Sequence, residues 1–148
     1  MKKIFFSLFS LILLFGFCIG CQKEESTAKE EVKDKIEGSA YHVGYLSDLE
    51  DSSVILDNYN DFRDYFKNNS KYDDILNEYK EDFFENKSLA VKYITLSSGS
   101  ITITDVYGKV DGNKVIISYE ENVPEIGTAD MSGYFVIVEV PKNITTVE

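Results

Sequence analysis

One histidine, His42, and two cysteines, Cys18 and Cys21, are the whole supply of imidazole and thiol in 148 residues. Those groups most often activate nucleophiles or bind zinc, so catalysis through either is poorly provided for. His42 beside Tyr41 reads as a surface or packing residue before it reads as a general base. Ser97-Ser98-Gly99-Ser100 offers hydroxyls but lacks the G-x-S-x-G spacing that lifts a serine onto a strained elbow, and a bulge or tight turn explains it better. Asp57-Asn58-Tyr59-Asn60-Asp61 carries oxygen ligands of the kind calcium prefers. The ligand alternation fails at Tyr59, however, and no glycine follows Asp61, so helix capping accounts for these residues. The acid pairs Asp73-Asp74 and Glu120-Glu121 could do acid–base work, but adjacent side chains on a helix or strand point different ways. No Gly-rich phosphate loop is present. These residues therefore assign no catalytic group, no metal site and no cofactor, and an enzyme is not expected.

Cys21 offers a different chemistry. It closes a stretch that opens with Lys2 and Lys3 and is apolar from Ile4 to Phe17, relieved only by Ser7, Ser10 and Gly16, before ending Cys18-Ile19-Gly20-Cys21. A charged start, an apolar core and small residues before a cut are the parts of an export signal. The stretch resembles a bacterial lipoprotein signal, which implies that residues 1–20 are removed and that Cys21 becomes the diacylglycerol-modified first residue of the mature chain. The alternative is an uncleaved membrane anchor, but the run is short for a span and Gln22-Lys23-Glu24-Glu25 follows it at once. Two acyl chains meet the usual requirement of two membrane signals. No later stretch is apolar enough to span a bilayer, so the expected location is the extracytoplasmic face of the cell membrane, with membrane contact through the lipid on Cys21. With Cys18 removed and Cys21 acylated, neither a thiol nor a disulfide remains, and packing alone must hold the fold.

Removing the first 20 residues leaves 128, enough for one ordinary domain. Losing Lys2 and Lys3 leaves 13 basic residues against 26 acidic ones, a formal charge of −13. Such a surface repels phosphate backbones, which argues against nucleic acid, and repels anionic headgroups, which keeps the domain off the lipid surface. Solubility explains most of this charge; a basic partner protein or bound cations are the sharper readings.

The elements follow in order. Residues 21–38 hold the lipidated cysteine and a polar segment without aromatics that reads as a tether, spanning about 20–25 Å as a coil. Residues 39–148 read as a single domain. Tyr41, Val43 and Tyr45 alternate as in a short strand, and Ser53 to Leu56 reads as another. Asp57 or Asn58 caps a helix with Tyr59, Phe62, Tyr65 and Phe66 on one face; Ser70 caps a second carrying Tyr72, Ile75, Leu76 and Tyr79. The sheet comes from Leu89 to Leu96, then Ile101 to Tyr107, Val115 to Tyr119 and Tyr134 to Val140, with a hairpin turn at Asp111-Gly112-Asn113. Two helices and a run of antiparallel strands predict an α+β fold, a sheet of about four to six strands packed against two helices. Glu120 to Gly133 is left as a long polar loop bearing Pro124, Ile126, Met131 and, at its end, Tyr134. Loops of that length are often functional.

One further resemblance lies in Asp82-Phe83-Phe84 before Leu89-Ala90-Val91, in the Ser98-Gly99-Ser100-Ile101 step, and in Gly127-Thr128-Ala129 leading to Gly133-Tyr134-Phe135-Val136-Ile137-Val138-Glu139-Val140-Pro141-Lys142. This segment, about Tyr79 to Val147, resembles the C-terminal domain of PrcB-type protease-complex subunits and clostridial-type lipoproteins. The resemblance implies a small β-rich, non-catalytic domain that supports an exported protease complex. The leading expectation is thus a lipid-anchored domain that binds an exported protein, with Pro124, Ile126, Met131 and Tyr134 as contacts; the alternative is a small-ligand or cation-binding lipoprotein.

Overall fold

Ser132 to Val138 is buried residue after residue, although successive strand side chains point to opposite faces. Both faces of that strand must therefore be covered. The computed structural model, which describes residues 35–47, 49, 52–67 and 72–148, shows how. Its strands are β1 (Lys35–His42), β2 (Ser52–Leu56), β3 (Lys87–Leu96), β4 (Thr102–Asp111), β5 (Lys114–Asn122), β6 (Ser132–Pro141) and β7 (Thr146–Val147). Two short helices, α1 (Tyr59–Phe66) and α2 (Asp73–Glu78), and a 3₁₀ turn at Glu81–Glu85 lie between β2 and β3.

The strands form one sheet in the order β2-β3-β6-β1-β4-β5-β7, antiparallel except for the parallel β5–β7 pair. The sheet curls until β7 approaches β2 and β3, giving a nearly closed barrel. This corrects the expected α+β arrangement of four to six strands on two helices: half of the described residues are strand and only 19% are helix.

Three local features produce the curl. Lys35–Glu37 of β1 pairs with β4 while Gly38–His42 pairs with β6, so one strand turns the sheet's corner. These first residues of β1 had read as the end of the tether. A bulge in β4 between Thr104 and Tyr107 adds a residue, with Asp105 at φ 49, a left-handed conformation aspartate tolerates. It lets Ile103 and Val106 face the same interior despite their spacing of three. Finally, Thr146–Val147 adds a seventh strand at the seam.

Two cores result, one on each face. Inside the barrel, Ala90, Ile94, Val115, Ile117, Val136, Val138 and Val140 pack together. Outside it, Leu89, Val91, Tyr93, Phe135 and Ile137 are covered by Phe62 and Phe66 of α1, by Tyr72 and Ile75, and by Tyr79 and Phe84. The aromatic residues of the helices therefore lie in the core. Asn58 caps α1 by accepting from the Asp61 amide at 2.9 Å, while Ser70 lies outside the described residues.

Candidate binding surface

At one end of the sheet β1, β3 and β5 finish and β2, β4 and β6 begin, so three connections meet there. Residues 123–131 form the longest fully described one, because Glu120, Glu121 and Asn122 belong to β5 and pair with Thr104, Ile103 and Thr102. The loop is therefore shorter than the sequence suggested.

The loop is clamped to the serine-rich turn that follows β3. Ser98 Oγ donates to the Thr128 carbonyl at 2.8 Å and lies 3.2 Å from Thr128 Oγ1. The Thr128 amide donates to Ser100 Oγ at 3.0 Å, Ser98 Oγ and Ser100 Oγ are 2.8 Å apart, and the Gly99 amide donates to the Asp130 carbonyl at 2.8 Å. Gly99 lets the Asp130 carboxylate lie close, since a methyl there would stand 2.7 Å from it and turn that side chain away. The Thr128 hydroxyl, aided by the Asp130 and Gly99 amides, holds the Asp130 carboxyl below the usual carboxylate range. That contribution is present at neutral pH and is lost as pH falls through the lowered value.

The side chains carried by this end are apolar and exposed. Ile126 is 88% exposed, Val123 63% and Met131 47%; Tyr45, on the connection after β1, is 48% exposed. Pro124 is exposed beside them. Tyr134 is not one of these contacts: it is 7% exposed, belongs to the interior of the barrel, and donates to the Ile101 carbonyl at 3.2 Å. Its place in β6, in step with Val136 and Val138, puts it there. His42 meets the Tyr134 ring in a tilted contact, with centroids 5.0 Å apart. Sequence reading missed Tyr45 and Val123. For Val123 the available signal was an apolar residue directly before Pro124; for Tyr45 the alternation pointed to a strand that ends at His42 instead. Cys21 lies outside the described residues.

A second feature lies on the outer face, where Glu37, Ser39, Glu78, Tyr79, Lys87 and Glu139 line an open recess of about 260 Å³. Lys87 pairs with Glu139 at 2.6 Å, and the Tyr41 hydroxyl beside the recess donates to Glu78. Burial, the hydrogen bond to Glu78 and that residue's charge push Tyr41 up to about 12. Burial, with Tyr41 and Glu78 alongside, raises Tyr79 further. Because the folded value of Tyr41 lies above its ordinary 10.0, its contribution to stability is complete below about pH 10 and disappears as pH rises through about 12. An alkaline absorbance titration of the wild type minus that of Tyr41→Phe is expected to place the Tyr41 transition near the upper value. A difference curve centred near the ordinary phenol range would show that Glu78 does not hold the hydroxyl.

Among the described residues no three His, Cys, Asp or Glu side chains are grouped to hold a metal ion, and no helix is long and apolar enough to cross a membrane. No protein-family model, no curated protein and no solved structure matches the chain.

Proposed function

We propose that this chain is a lipid-anchored extracytoplasmic lipoprotein whose barrel-like domain is a non-enzymatic protein-binding module, meeting an exported partner through the loop at 123–131. The observation that carries the reading is the placement of exposed apolar residues. Of the five large apolar side chains exposed among the described residues, Tyr45, Val123, Ile126 and Met131 lie on connections at one end; the fifth, Ile116, lies on β5. Exposed apolar groups gathered on a fixed backbone are what a protein contact requires. Within the domain, Lys35 lies at the end of β1 opposite to these connections.

Supporting the non-enzymatic reading, the buried polar side chains among the described residues are Ser88 and Ser132, so no described carboxylate is held out of water to tune it as a general acid. The recess beside Tyr41 is open and polar and does not enclose a small molecule. The resemblance of Tyr79 to Val147 to PrcB-type subunits makes an exported protease complex the first class of partner to examine.

In the native host, the full chain is expected in the membrane fraction with acyl chains on Cys21, and Cys21→Ser is expected to release it. A photo-crosslinker placed at Ile126 is expected to give a discrete adduct with another exported protein, while one at Lys109, exposed on β4 toward the far end, gives none. Equal labelling from both positions, or none from Ile126, would overturn the contact; a soluble wild-type chain would overturn the anchor.

A further inference from the structure

We infer that the end of the barrel formed around 123–131 recognises a cationic segment of a partner protein that also carries apolar side chains. The inference rests on the proposed role of this end as a protein contact and adds the chemistry of what it contacts. The segments that build the end, 42–47, 95–105 and 119–134, contain Asp105, Glu120, Glu121, Glu125 and Asp130 and neither lysine nor arginine. None of these five acids is in an ion pair among the described residues. Among the lysines of the strands, Lys92 lies within β3, opposite Ser53 and Val136; Lys35 pairs across from Lys109, and Lys87, Lys114 and Lys142 stand at that same far end, where Lys87 and Lys114 are matched with Glu139 and Glu148.

Acidic and apolar surface are thus combined at one end, and the ion-paired strand lysines Lys87 and Lys114 lie at the other. Acids outside any ion pair on the segments that carry exposed Val123, Ile126 and Met131 form the pattern of an apolar anchor with a charged rim. The rim selects the sign of the partner and speeds encounter, and burial of the apolar centre holds the complex. The Ser98, Ser100 and Thr128 clamp fixes the loop beforehand, so little ordering is needed on binding. The same charges count against the other occupants: an anionic bilayer, a nucleic acid and a second copy of this acidic end would each bring like charge to like.

The test uses the full chain carrying Cys21→Ser and three synthetic peptides of equal length, alternating lysine with leucine, glutamate with leucine, and lysine with serine. Binding is followed by fluorescence anisotropy and mapped by amide chemical shifts. The lysine–leucine peptide is expected to bind best, to shift amides within 119–131, and to weaken as salt is raised. Replacing Glu120, Glu121 and Glu125 together by glutamine is expected to weaken it about tenfold, the combined effect of three rim charges. Equal binding of the glutamate–leucine peptide, or no loss in the triple variant, would overturn the charge assignment. If Met131→Asp still abolished crosslinking from position 126 on cells, the protein-contact reading would survive that result. Equal binding of lysine–serine, shifts mapping away from this end, or preference for phosphatidylglycerol vesicles would likewise overturn the inference.

Discussion

Phe62→Ala is expected to destabilise the domain by about 3–5 kcal/mol, lowering the urea midpoint without changing the slope of the transition. Phe62 is wholly buried and its ring meets four others: Phe84 at 5.2 Å, Phe66 at 5.4 Å, Tyr79 at 5.9 Å and Tyr59 at 6.1 Å. It is the joint between α1, the end of α2 and the 3₁₀ turn, so a methyl group in its place leaves a cavity that three separate elements would have to fill. Tilted and edge-on ring pairs add to the loss of buried area. Against a total stability of about 5–15 kcal/mol, this one change removes a large share. A loss below about 1 kcal/mol would mean that the helices contribute little to stability.

The second large effect is expected at Gly133. A methyl there would overlap the Tyr93 hydroxyl and lie 2.5 Å from the Gly44 carbonyl oxygen. The Gly44 carbonyl is backbone, and the segment carrying it is fixed because the Val43 amide donates to the Gly133 carbonyl at 2.9 Å. Tyr93 is equally committed: its hydroxyl accepts from the Leu46 amide at 2.9 Å. Gly133→Ala must therefore displace both partners, at a cost of about 1–3 kcal/mol for overpacking plus about 1 kcal/mol for the hydrogen bond. Gly133→Ala combined with Tyr93→Phe is expected to be less damaging than the sum of the two single changes, because removing the hydroxyl removes one of the collisions. Strict additivity in thermal melts would refute this account.

These two sites differ in how much of them can be read from sequence. The spacing of Phe62 and Phe66 marks a buried helix face, and Asn58 marks its start. The hairpin at Gly112, with φ 63, is equally plain because Asp-Gly-Asn is local chemistry. What was hidden depends on partners distant in the chain. Lys35-Ile36-Glu37 has the composition of a tether and becomes strand only because Lys109, Gly108 and Tyr107 lie opposite it. Glu120 to Asn122 looks like loop because an exposed strand end needs no apolar alternation. The closure of the sheet was nevertheless signalled: an apolar run such as Tyr134 to Val138 buries both faces, which a sheet covered by helices on one side does not require. At the candidate surface, Ile126 and Met131 stand out in sequence as apolar residues among polar ones. The clamp beneath them does not, since Ser98 and Thr128 are thirty residues apart and their pairing follows from the strand order.

The course of β1 also has a mechanical consequence. β1 runs from Lys35 to the end that carries the exposed loop, paired first with β4 through Lys35–Glu37 and then with β6 through Gly38–His42. A force pulling Lys35 away from His42 therefore acts along the strand axis. The ladders to β4 and β6 then resist in shear, with many hydrogen bonds loaded together, rather than opening one at a time like a zip. Rupture under load is governed by the rate of that concerted step.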